Sequence, residues 1–215
     1  MSKVGVIDYG SGNIFSLTRA VESVGRNVCL ISSPKQMSEV DRYILPGVGA
    51  FGSVMQKLEC TGFNDALISA AKEGKPLLGI CVGMQVLFDV SNEFGEQDGL
   101  GVLGGKVEKI PRLDINGNQN RIPHIGWSEL NFEHGDGNGQ LVGELFESIN
   151  DGASFYFVHS FAALPDDEDI SVAHTIYGGH LITGAVRKGM VFGTQFHPEK
   201  SGIAGLRLLD NFVSL

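Results

Sequence analysis

The stretch Leu77-Leu78-Gly79-Ile80-Cys81-Val82-Gly83-Met84-Gln85-Val86-Leu87-Phe88 constrains the fold more than any other. Leu77 to Ile80 is a short apolar run behind Pro76, as in a buried strand, and Met84 to Phe88 is expected to continue as a helix. Cys81 therefore stands at a strand-to-helix corner. Gly79-x-Cys81-x-Gly83 is the nucleophile-elbow pattern with sulfur in place of the serine oxygen, and its glycines let backbone approach where a Cβ would obstruct. Such a corner holds a side chain at the carboxyl edge of a sheet, over a helix N-terminus whose free N–H groups and macrodipole favour thiolate. The plain alternative is a buried structural cysteine, a common fate of that residue.

The flanking segments place this corner in an α/β chain. Lys3 to Asp8 reads as a strand, and Ile14, Leu17, Val21 and Val24 have helical spacing closed by Gly25. Between them, Tyr9-Gly10-Ser11-Gly12-Asn13 leaves the carboxyl end of a strand, the edge where ligands bind in open α/β sheets. Asn27 to Ile31 and Asp41 to Leu45 are two further strands. The loop Pro46 to Phe51 follows, and then a helix with Phe63, Ala66, Leu67, Ala70 and Ala71 on one face, ending at Gly74. Strands are expected again at Gly105 to Ile110 and Ile122 to Leu130, with loops at Asp114 to Asn120 and His134 to Gly139. Ser154 to Val158, Ile170 to Tyr177 and His180 to Val186 are closely spaced strand candidates that suggest an antiparallel extension. Met190 to Phe196 is the last strand, before a helix burying Leu206, Leu209, Phe212 and Val213. The reading is one domain over residues 1–215: an open, mainly parallel central sheet flanked by helices, with antiparallel strands added.

A cysteine nucleophile in acyl transfer works with a base, and the base with an orienting group. Gln195-Phe196-His197-Pro198-Glu199 supplies both, since Glu199 can share the direction of His197 across Pro198. Taken plainly, the same two residues are only the polar end of a strand. Pro46-Gly47-Val48-Gly49 is a glycine-flanked loop at a neighbouring strand end, placed to present N–H donors beside that of Val82 to a developing oxyanion. Gly47-x-Gly49-x-x-Gly52 also meets the letter of the dinucleotide fingerprint. It has no convincing acidic partner about 20 residues on. Gln85, one helical turn past Cys81, faces the same side and could bind a polar substrate head; an exposed helical glutamine is the ordinary alternative. His124, His134, His159, His174 and His180 are scattered without metal-ligand spacing, so no metal is expected. Cys29 reads as core and Cys60 as incidental.

The net charge of -9 and pI of about 5.1 argue against nucleic-acid partners, which need a basic face. The stretch MSKVGVIDYG shows no charged n-region followed by a long apolar h-region, and no window approaches the run of about 18 apolar residues that spans a membrane. Three widely spaced cysteines make no disulfide framework, and a cytoplasmic protein is the expectation.

On PGVGAF, GICVGMQ and QFHPEKSG the chain resembles the triad-type, class I glutamine amidotransferases, whose sheet is flavodoxin-like. IDYGSGN, PHIGWSEL and FVHSF are similar to the glutaminase subunits of imidazole glycerol phosphate synthases within that family. The resemblance implies that Cys81 attacks the carboxamide of L-glutamine, with His197 as base and Glu199 as its orienter. It further implies an oxyanion hole at Val48, Gly49 and Val82, and glutamine contacts at Gly47, Gln85, Ser160 and Phe161. Phe161 stands where many relatives carry tyrosine. No cofactor is implied. Ammonia would pass to a separate (β/α)₈-barrel cyclase subunit of about 250 residues, in a heterodimer whose interface includes Asn13, Trp127 and Tyr156. For Trp127 the alternative is a core position in the second sheet. The other functional readings are a related glutaminase feeding surface-sugar amidation, a non-catalytic regulatory module of the same fold, and a free-standing cysteine peptidase.

Overall fold

The computed structural model describes residues 3–10, 13–132 and 144–215; Ser11, Gly12 and the expected loop at 134–139 lie outside them. In chain order the first half is β1 (Val4–Ile7), α1 (Ile14–Ser23), β2 (Val28–Ile31), β3 (Arg42–Gly47), α2 (Phe51–Thr61), α3 (Phe63–Lys72), β4 (Leu77–Cys81) and α4 (Val82–Gln85). There follow β5 (Val90–Ser91), β6 (Gln97–Asp98), β7 (Gly105–Lys109), β8 (His124–Glu129), β9 (Asn131–Phe132), β10 (Ser154–His159) and β11 (Phe161–Pro165). Last come β12 (Ser171–Tyr177), β13 (His180–Lys188), β14 (Val191–Thr194) and α5 (Gly202–Ser214).

The central sheet has the order β2-β1-β3-β4-β14-β13-β12-β9. From β2 to β14 neighbouring strands are parallel, and from β14 onward they are antiparallel. β1, β3, β4 and β14 are buried at every residue, as strands covered on both faces must be. β4 lies between β3 and β14, with Gly47 beside Cys81 and Thr194 beside Ile80, so three carboxyl ends meet at one edge. Among the described residues no helix is long and apolar enough to cross a membrane.

Four expectations change. The loop after Pro46 is followed at once by α2, which buries Phe51, Val54 and Leu58 at helical spacing ahead of the expected helix α3. The helix expected through Phe88 is the single turn Val82–Gln85, because the carbonyls of Val86, Leu87 and Phe88 turn aside to accept N–H groups of residues 100–103. A one-turn helix has little macrodipole, which leaves the local N–H groups as its contribution at Cys81. β10 does not join the antiparallel extension and pairs instead with β8 in a two-stranded sheet. On α5, Leu208 is fully buried where Leu206 was expected, and Leu206 packs at the margin of the core. Cys29 is half-buried beside the core, and Cys60 is exposed.

Arg42 fastens the last helix to the sheet. Its guanidinium, 6 % exposed, donates to the carbonyls of Phe212 and Leu215, each at 3.1 Å, at the carboxyl end of α5. The Phe212 carbonyl also accepts the N–H of Leu215, at 3.4 Å, so the guanidinium adds a shorter bond at a helix end whose last carbonyls lack the regular helical donors. Arg42→Met should therefore lower stability by about 2 kcal/mol, read as a shifted urea midpoint; an unchanged midpoint would deny Arg42 this role.

Candidate active site

The elbow geometry follows from three glycines and one strained residue. Cys81 has φ 56° and ψ -115°, a conformation that ordinary side chains avoid. A Cβ on Gly79 would lie 2.7 Å from Met84 backbone, and one on Gly83 would strike the Leu45 carbonyl. One on Gly47 would strike the backbone of Gly83 in turn. Only glycine lets β3, β4 and the α4 turn close this tightly, and the closure turns the Cys81 sulfur into a pocket of about 270 Å³.

That pocket is lined by Val48, Gly49, Cys81, Val82, Gln85, Glu93, Pro123, Val158, His159, Ser160, Phe161 and His197. The expected oxyanion residues Val48, Gly49 and Val82 are thus brought together beside the sulfur, and so are Gln85, Ser160 and Phe161. Gly47 is not among the lining residues: it is packed under the elbow and borders a smaller crevice with Asn13, Leu17 and Glu199.

His197 and Glu199 follow β14 into the same edge. His197 Nδ1 donates to Glu199 Oε1 at 2.9 Å, and both side chains are almost wholly buried. Burial alone would lower the imidazole pKa. The hydrogen bonds and charges of Cys81 and Glu199 outweigh it and push His197 up to about 9. At neutral pH the proton therefore rests on the imidazole beside the sulfur. The backbone of His197 is held as well, since its N–H donates to Tyr156 O at 2.9 Å and its carbonyl accepts from Ser201 Oγ at 2.6 Å.

Gln85 is buried, which excludes the exposed alternative. Its Nε2 donates to the carbonyl of Phe161 and to Gln195 Oε1, both at 2.9 Å, and Gln195 Nε2 lies 3.7 Å from the Cys81 sulfur. Sequence reasoning missed Gln195 and Glu93. Gln195 had a signal, its place two residues before His197, but Glu93 reaches the pocket only through the tertiary fold. Glu93 Oε2 accepts the N–H of Phe51 at 2.6 Å. A carboxylate already occupies the N-terminus of α2, where a dinucleotide would have to set its pyrophosphate, and the fingerprint reading falls with that observation.

The family model described as glutamine amidotransferase class-I matches residues 5–214. The chain belongs to this family. It is 42% identical over 212 residues to imidazole glycerol phosphate synthase subunit HisH of Geobacillus sp. (strain WCH70), covering 99% of this chain and 96% of the relative. It is 40% identical over 216 residues to subunit HisH 1 of Legionella pneumophila (strain Lens), with 100% of both chains covered. Among solved structures, that of PurLQS from Thermotoga maritima superposes with a TM-score of 0.72 at 19% identity, covering 100% of this chain and 99% of the other. A crystal structure of a glutamine amidotransferase gives 0.68 at 22% identity, covering 99% of each chain. Those two likenesses bear on the fold, which is the class I glutamine amidotransferase architecture.

Proposed function

We propose that this amidotransferase is the glutaminase subunit of an imidazole glycerol phosphate synthase. The observation that carries the reading is the convergence of a strained Cys81 and a buried His197–Glu199 pair on one pocket. Full-length relatives at about the same divergence, all named as subunit HisH, support the pathway.

In this reading the Cys81 sulfur attacks the side-chain carboxamide carbon of glutamine. Backbone N–H groups of Val48, Gly49 and Val82 hold the oxyanion, the largest single contribution expected in such a site. The C–N bond breaks as His197 gives its proton to departing ammonia, leaving a γ-glutamyl thioester. His197 then takes a proton from water, whose oxygen attacks the thioester, and glutamate leaves with the sulfur restored. Glu199 keeps the imidazole oriented throughout. Gln85, Ser160 and Phe161 surround the substrate, with the Glu93 carboxylate opposite its ammonium group.

Ammonia passes to a separate cyclase subunit in a heterodimer. Trp127, 57 % exposed, is not a core residue; it meets Tyr156 edge-on at 6.2 Å, and Ile125 on the same strand face is also exposed. A lone tryptophan on an apolar surface is the usual kind of interface anchor, and Asn13 at the start of α1 completes the proposed face.

The test is glutamate release from glutamine by the purified chain, with and without the cyclase and its ribotide ligand. Strong stimulation by the liganded partner is expected, with Trp127→Ala weakening association by about tenfold or more at unchanged melting temperature. Absence of release under every condition would overturn the assignment, and release without response to the cyclase would redirect it to another acceptor.

A further inference from the structure

The proposed chemistry leaves two buried histidines without a task. His124 on β8 and His159 on β10, 1 % and 6 % exposed, face each other across paired strands, with His124 Nδ1 3.0 Å from His159 Nε2. Their tautomers follow from their neighbours. His159 Nδ1 lies 2.9 Å from the carbonyl of Phe161, which can only accept, so this nitrogen carries hydrogen. In a neutral ring Nε2 must then accept, and the donor is His124 Nδ1. His124 Nε2 accepts in turn from Ser128 Oγ at 2.8 Å. Burial pushes His124 down to about 4 and His159 to about 3, so neither ring is charged at neutral pH.

The line of donors ends at the pocket. The Phe161 carbonyl that receives His159 also receives Gln85 Nε2, and Gln85 leads through Gln195 to Cys81. His159, Phe161 and Gln85 are all in the pocket wall. The His124 ring is clamped between Phe157, at 5.0 Å, and Tyr177, at 4.0 Å between centroids. The Phe161 carbonyl, which can only accept, fixes the direction of each hydrogen bond outward to Ser128, and it is the point where this line and the Gln85 amide meet.

We propose that His124 is a positioning residue for glutamine: by donating to His159 it holds the 159–161 corner and the Gln85 amide in the arrangement that receives the substrate. This rests on the glutaminase reading. Two substitutions separate hydrogen bonding from packing. His124→Phe keeps a flat ring between Phe157 and Tyr177 but removes the donor. His124→Asn loses the stack but keeps an N–H two bonds from Cβ, where Nδ1 stands.

Both variants are assayed for glutamate release in complex with the cyclase. His124→Phe is expected to raise KM for glutamine about tenfold with a smaller change in kcat, and His124→Asn to bring KM back to within about threefold of the original. The reverse ranking, or an unchanged KM in His124→Phe, overturns the proposal. Nitrogen-15 NMR of the unmodified protein decides independently of activity and of whether the variants fold. Neutral rings with hydrogen on Nδ1 in both are expected, and hydrogen on Nε2 of His159 overturns the proposal. Should the unmodified complex release no glutamate, the glutaminase reading fails, while the NMR result still reports whether the donor line exists.

Discussion

Replacing Cys81 by alanine should reduce glutamate release by about 10⁴-fold or more, because without the sulfur no thioester forms and water must attack the amide directly. Glutamine should still bind, since the groups that surround it are untouched, and calorimetric titration of the variant separates lost chemistry from a lost pocket. Retention of more than about a hundredth of the activity would mean that another group attacks. The serine variant should also be nearly inactive. His197, held up to about 9 by Cys81 and Glu199 against the effect of burial, already carries a proton at neutral pH, so it is poorly set to take one from a hydroxyl, which is a weak nucleophile until it gives its proton to a base. Cys81→Gly adds a physical control. It removes the same nucleophile but relieves a backbone held at φ 56°, where a side chain costs about 1–3 kcal/mol. It should be inactive and yet melt higher than the alanine variant, which keeps the strained Cβ.

The parts of the site visible in the sequence are those where a residue type reports its own backbone. Glycines around Cys81 were informative because the approach of Gly83 to the Leu45 carbonyl admits no Cβ. The His197–Glu199 spacing was informative because a strand end and a proline leave few alternative directions. The helix α2 was legible in principle: Phe51, Val54 and Leu58 repeat at helical spacing, but the glycine-rich run before them drew attention to a loop. The end of α4 was not legible, since residues 86–88 leave the helix for hydrogen bonds with residues 100–103. Glu93 and the His124–His159 pair belong to the same class. His124 and His159 are 35 residues apart, and only the register of β8 against β10 makes them neighbours. Their scatter along the chain hid a buried pair.

That pair carries the second large effect, on stability in acid. Folded, His124 and His159 titrate near 4 and 3, well below the ordinary histidine value of 6.5, because burial disfavours their charged forms. Below pH 6.5 the unfolded chain binds protons that the folded chain refuses. The stability these groups contribute is complete above pH 6.5 and is lost as pH falls toward their folded values. At pH 5, about 1.5 pH units below the unfolded value, each group has lost about 2 kcal/mol, so the pair removes about 4 kcal/mol. His197 works in the opposite sense: its raised value contributes stability that is fully present below pH 6.5 and disappears only as pH rises through about 9. Urea unfolding at pH 7.5 and at pH 5 reads the balance, and His124→Phe isolates the pair because it deletes one of the two depressed groups. The variant should be the less stable protein at pH 7.5, having left His159 Nε2 without its donor, but its stability should fall by about 2 kcal/mol less on going to pH 5. Equal acid losses in the two proteins would mean that His124 already takes up a proton in the folded state, and that the neutral line from Ser128 to Phe161 is not how this sheet is held.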